Sequence, residues 1–204
     1  MSRNQQRLEE DKSTVLSKAP KATVETLKVD ISDPKALKAT LETLDGVENI
    51  ECVLFNAARV EPSNLLEFPA EEIELDFKTT NIALYTVAQW VIPRLMKLAE
   101  SSPEAKPSLL VTNSLLYVQP VPFVFSLTMV KAAQRALVQC LDMTYREQGV
   151  HVGLISVGGQ VDPKNKVLNP SNIAEKSWDL YNQKRNEWTL EVELLGDQEK
   201  PIFK

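Results

Sequence analysis

Only six glycines occur in the 204 residues, and none precedes Gly46. A backbone cradle for phosphate needs glycines that let the chain approach the ligand at a helix N-terminus, so no such cradle can be built ahead of Gly46. Cysteine is scarcer still. Cys52 and Cys140 both lie among apolar neighbours, which reads as two small buried side chains and a reducing compartment, not a disulfide. One histidine, His151, stands before the strand-like run VGLISV. Alone it can build neither a transition-metal site nor a Ser-His-Asp triad, so a structural role is expected and no metal. No apolar run reaches the length of a membrane span, and the start MSRNQQRLEEDK has no cationic-then-apolar signal. A soluble cytoplasmic protein is expected.

What is present suits a single domain over 1–204, since 43% hydrophobic residues supply one sizeable core. The net charge of -5 is spread over mixed acids and bases, which disfavours nucleic acid or an anionic membrane as partner. The decisive stretch runs from Val111 to Ala133. The apolar run Leu109, Leu110, Val111 is bounded by Pro107 and by Asn113/Ser114, the pattern of a core strand in a parallel sheet. Ser114 is thereby placed at the carboxyl end of a strand, where open α/β sheets bind ligands. Lys131 follows inside a helical pattern rich in alanine. From Ala70 to Ala99 the apolar positions Ile73, Phe77, Leu84, Ala88, Val91 and Leu95 predict a long helix bent at Pro93. Asn81 lies on that apolar face, where an amide is costly unless hydrogen-bonded, so Asn81 and Lys131 are expected to form one polar cluster.

Asp33 reads as an N-cap with Pro34 in the first turn, and Asn169 followed by Pro170 reads the same way. Val24–Val29, Cys52–Asn56, Val150–Val157 and the alternating Trp188-Thr-Leu-Glu-Val-Glu-Leu segment read as further strands, and Gly149 ends the helix that carries Lys131.

These features resemble the short-chain dehydrogenase/reductase family, in which a serine after the fifth strand precedes Y-x-x-x-K on the next helix. Lys131-Ala132-Ala133 matches the lysine signature, and four residues earlier the tyrosine position holds Leu127. In the family the tyrosine is the proton donor, the lysine lowers its pKa and the serine holds the substrate, a general-acid scheme that leucine cannot perform. Tyr117 is near in sequence but sits in the turn. Asn81, in TTNIAL, matches the asparagine that supports the lysine. The resemblance implies a Rossmann-like parallel sheet flanked by helices and an NADP cofactor. The start SRNQQRLEE resembles the segment whose arginine, here Arg3, meets the 2'-phosphate. Asp30 and Ile31 match the pair at the adenine, Asn56-Ala57-Ala58 is close to the fourth-strand N-A-G, and Gly158-Gly159-Gln160-Val161 is similar to P-G-x-V, with Gly158 beside the nicotinamide. The C-terminal tail looks like that of an atypical subgroup in which the tyrosine is replaced.

The family's first strand and its T-G-x-x-x-G-x-G loop have no counterpart, so the fold is expected to lack its first βαβ unit, and conventional dinucleotide binding is not expected. Three functions stay open: an oxidoreductase acting on a small-molecule substrate; a non-redox isomerase, cyclase or lyase that uses Ser114 and Lys131; or a catalytically silent interaction protein. A homodimer is expected through Asn81–Leu98 and Phe125–Tyr145, with Trp90 and Leu137 at the surface. Val24–Val29, deprived of neighbours, is expected to move inward and pair with Cys52–Asn56.

Overall fold

In a computed structural model, which describes residues 1–196, the caps fall where the side chains demand them. Asn4 accepts the Arg7 N–H at 3.0 Å and starts α1 (Gln5–Lys18). Asp33 accepts the Lys35 and Ala36 N–H groups at 2.9 and 3.1 Å and starts α2 (Pro34–Glu42). Asn169 accepts the Asn172 N–H at 2.9 Å and starts α6 (Pro170–Asn182). Between them lie β1 (Cys52–Phe55), α3 (Ala70–Phe77), α4 (Ala83–Ser101), β2 (Ser108–Ser114), α5 (Phe125–Tyr145) and β3 (His151–Gly158), and β4 (Glu191–Leu195) follows α6. Gly149, at φ +83°, turns the chain from α5 into β3.

The four strands form an all-parallel sheet in the order β1-β2-β3-β4. Side chains alternate across it. Leu109, Val111, Val152 and Leu154 pack with α2 and α4, whereas Leu110, Ile155 and Val157 pack with Leu180 of α6. Helices cover both faces, as the continuous apolar runs require. His151 is fully buried, its Nε2–H donating to the Thr189 carbonyl at 3.0 Å and its ring stacked on Trp188 at 4.8 Å. Burial pushes its pKa below the ordinary value.

Several expectations change. The Ala70–Ala99 helix is interrupted by a π-helical turn, Lys78–Ile82, while Pro93 stays inside continuous α4. Both cysteines are exposed: β1 is an edge strand with one open face, and Cys140 lies on the outer face of α5. Trp90 is no dimer surface, because its indole N–H donates to Asp45 at 2.9 Å and the ring packs against the core, as does Leu137. The Val24–Val29 segment does not pair with β1. Its partner is Ser2, whose N–H donates to the Leu27 carbonyl at 3.2 Å and whose carbonyl accepts the Val29 N–H at 3.1 Å, forming a parallel bridge between Ser2 and Lys28. The nearby Ser2 backbone satisfies these groups without the rearrangement that inward pairing needs. Hydrogen exchange checks this: the Val29 amide is expected to be protected and the Leu27 amide, which donates to no carbonyl, to exchange rapidly. Equal protection of both would indicate a longer ladder.

Candidate functional site

Ser114 is the last residue of β2 and sits at the carboxyl edge of the sheet. Its Oγ accepts the Leu116 N–H at 3.3 Å and caps the 3-10 turn Leu115–Tyr117. Lys131 stands in the second turn of α5 and is 6% exposed. Its ammonium points into the protein and donates to the Thr112 carbonyl and to Gln134 Oε1, both at 2.9 Å. Desolvation pushes its pKa down to about 8.

Asn81 lies in the π turn, a geometry that re-aims side chains within a helix. Its Nδ2 donates to the Val130 carbonyl at 3.0 Å, next to Lys131 in the chain, while its Oδ1 is buried without a partner. The three residues thus gather between α4, α5 and the end of β2, but no hydrogen bond joins them to one another.

Leu127 fills the expected tyrosine position and is 5% exposed, packed with Leu116, Val124 and Val130 and against Phe77 and Ala58. Tyr117 does not replace the donor. Its hydroxyl is 3.0 Å from both carboxylate oxygens of Glu191, beneath the Arg135 guanidinium at 4.6 Å. Burial and the Glu191 carboxylate raise its pKa, while Arg135 works the other way. Glu191 also accepts from Ser156 Oγ and from Arg135 Nε, the latter at 3.1 Å. The strand's alternation had put Glu191 on the polar face, so this buried cluster gave no sequence signal.

A second cluster holds the start of α5. Arg59 donates to Asp76 at 3.0 Å and to Glu72 at 2.6 Å, and the other Asp76 oxygen accepts from Ser126 Oγ. The Ser126 N–H donates to Ser63 Oγ at 3.2 Å, and the Ser63 N–H to the Phe123 carbonyl at 2.8 Å. Asp76 shares a helical face with Ile73 and Thr80, three and four residues away, and that spacing was the available sign of a buried carboxylate.

The expected cofactor residues divide. Arg3, Asp30, Ile31, Asn56 and Ala57 line one cavity of about 600 Å³, with Arg7 beside them. Asp30 accepts from the Ser32 hydroxyl at 2.7 Å, which together with its N–H and Arg3 at 3.7 Å holds the carboxyl below its usual range. Asn56 accepts from Thr112 Oγ1 at 2.6 Å. Gly158 is not in this cavity. A Cβ there would come within 3.0 Å of Leu115 Cδ1 and of the Leu194 carbonyl, so its place is fixed by close packing at the end of β3. The residues present fit the adenosine end of a dinucleotide, where cations and an adenine-facing carboxylate meet. The diphosphate end has no glycine turn ahead of Gly46 to receive it.

Residues 2–192 match the family model described as enoyl-(acyl carrier protein) reductase. The chain belongs to the short-chain dehydrogenase/reductase family. No curated protein matches it. Solved short-chain dehydrogenase/reductase structures do. An NADPH-bound short-chain oxidoreductase from Pseudomonas aeruginosa PAO1 with an atypical catalytic center is 18% identical, with a TM-score of 0.82 over 96% of this chain and 84% of that one. An alcohol dehydrogenase from the archaeon Thermococcus sibiricus, complexed with 5-hydroxy-NADP, is 19% identical, with a TM-score of 0.82 over 98% and 86%. A metagenomic short-chain oxidoreductase in complex with NADP is 18% identical, with a TM-score of 0.80 over 96% and 84%. At these identities the likeness establishes the fold. Among the described residues no helix is long and apolar enough to cross a membrane.

The Arg59 cluster gives a stability test. Replacing Asp76 by alanine leaves a largely buried guanidinium with one fewer partner and Ser126 without its acceptor, and is expected to cost about 3 kcal/mol in urea unfolding. Glu72→Ala removes a carboxylate whose side chain is 41% exposed, and is expected to cost less than about 1 kcal/mol.

Proposed function

We propose that this chain is a nucleotide-binding short-chain dehydrogenase/reductase that retains the adenosine end of an NADP site and does not carry out tyrosine-dependent carbonyl reduction. One observation carries the reading: five residues from the N-terminal segment, the Val24–Ile31 region and the end of β1 converge on one cavity, while the proton-donor position is filled by Leu127 inside an apolar cluster. Arg3 and Arg7 present guanidinium groups to a 2'-phosphate, a charge-assisted contact. Asp30 and Ile31 border the adenine, and Asn56 and Ala57 border the ribose. When bound, NADP supplies a hydride donor or acceptor. At the other end of the cleft Ser114 caps a turn, and Lys131 spends its ammonium protons on Thr112 and Gln134, so neither is positioned to pass a proton to a substrate oxygen. The structures of relatives described as holding NADPH or NADP support the choice of nucleotide. Exposed free thiols fit a reducing, cytoplasmic setting.

A homodimer accompanies this reading. Met129, Ala132, Ala136, Cys140 and Met143 form an exposed, uncharged stripe along α5, at the three- and four-residue spacing of one helix face. Tyr85 of α4 is likewise exposed. Such a face suits a self-complementary two-fold contact. Ala136→Glu is expected to leave a monomer by light scattering.

Calorimetry on the intact chain tests the nucleotide reading. NADPH is expected to bind more tightly than NADH, with Arg3→Ala removing roughly tenfold of that preference, about 1.4 kcal/mol. Neither the wild-type chain nor Leu127→Tyr is expected to oxidise NADPH with carbonyl substrates. Absence of NADPH binding would remove the nucleotide reading, and turnover would remove the silent one.

A further inference from the structure

Among the described residues β1 pairs only with β2, so one of its edges is open. The register identifies which groups lie there. The Ser108 N–H donates to the Glu51 carbonyl at 2.8 Å. In a parallel ladder successive residues alternate direction, so the backbone groups of Glu51, Val53 and Phe55 face β2, and the N–H and C=O of Cys52 and Leu54 face outward.

Apolar space flanks this edge on both sides of the sheet. On one side a cavity of about 460 Å³ is lined by Val53, Phe55, Leu37, Leu41 and Ile31, and its far wall includes Met1, next to the Ser2–Lys28 bridge. On the other side a groove of about 930 Å³ is lined by Cys52, Leu54, Leu110, Ile173, Trp178 and Tyr181. Leu54 is 52% and Trp178 64% exposed, large values for residues beside a central part of the domain. The Cys52 thiol opens onto this groove, yet the surrounding protein and Glu51 push its pKa up to about 11, so it is no reactive nucleophile.

A compact apolar molecule could fill either cavity, but it would leave the outward N–H and C=O groups of Cys52 and Leu54 without partners. An extended polypeptide satisfies them and sends alternate side chains into the two cavities. A second copy pairing edge to edge would have to displace Met1 and the bridge that close the far side. The solved relatives also carry more chain: 96–98% of this chain aligns with 84–86% of theirs. We propose that the open edge of β1 accepts an extended apolar segment of polypeptide from outside these 204 residues, inserted as an additional strand between β1 and the Ser2–Lys28 bridge. Because both faces are apolar, the segment is a continuous branched apolar run and not an alternating one.

Amide hydrogen exchange on the full chain, with and without a synthetic peptide of about five valine and isoleucine residues flanked by lysines, tests the proposal. The Cys52 and Leu54 amides are expected to exchange freely in the chain alone and at least roughly tenfold more slowly with the peptide, while the Val53 amide, already paired with β2, changes little. Leu54→Pro removes an outward donor without touching the β2 ladder and is expected to abolish the effect at Cys52, whereas Leu54→Ala retains it in weakened form. A peptide N-methylated at alternate residues is expected to have no effect on the wild-type chain, a control that does not depend on any variant folding. Unchanged exchange at Cys52 and Leu54, equal binding by the methylated peptide, or protection that grows with protein concentration in the absence of peptide would each overturn the proposal, the last by showing that a second copy occupies the edge.

Discussion

A lysine ammonium taken out of water must find oxygen acceptors inside the protein, and in this chain the backbone carbonyl of Thr112 and the side chain of Gln134 provide them. That requirement fixes the rotation of α5 over β2. Once α5 is set, its next residue back, Val130, offers its carbonyl to Asn81, and the π turn is what lets Asn81 reach it from the start of α4. The same rotation turns Leu127 into the apolar cluster of Leu116, Val124 and Val130. The Asp76–Ser126 and Ser63–Ser126 contacts then tie the first turn of α5 to α3 and to the loop after β1. Residues that look like reaction machinery in the sequence are therefore knitted into the packing of one helix.

The nucleotide side of the domain is organised separately. Its cavity is built from Arg3, the turn at Asp30 and Ile31, and the end of β1, and none of these depends on α5 for position. A protein of this design can hold a nucleotide phosphate and adenine without possessing a proton relay, because charge recognition and general-acid chemistry sit on different elements. The open edge of β1 lies on the nucleotide side, and its two flanking cavities share Met1, Asn56 and other residues with that site.

The sheet, its helical layers and most caps could be read from local signals, since Asp33, Asn169 and Gly149 act through their own backbones and the strands from Cys52, Leu109 and Val150 are compact apolar runs. The Val24–Val29 segment was readable as extended but not as a partner of Ser2, because pairing is set by which backbone lies nearby and not by side-chain alternation. Nothing in KTTNI announces a π turn, whose extra residue is settled by the contact Asn81 makes with α5. Glu191 was misassigned for a related reason. Its alternating strand predicted a solvent-facing carboxylate, yet Tyr117, Ser156 and Arg135 converge on it from two other elements. Gly158 carried a family expectation of nucleotide contact and instead makes room for Leu115 and Leu194, a packing constraint visible only once β4 is in place.

The account turns on Lys131 facing inward. An NMR titration of its side-chain nitrogen, assigned with a Lys131→Met variant, measures this directly. The account predicts a pKa near 8 that stays unchanged when NADPH is added. A value close to the ordinary lysine range of about 10.4, or a clear shift on addition of NADPH, would place the ammonium in the cleft beside the cofactor and contradict the separation of nucleotide binding from proton chemistry.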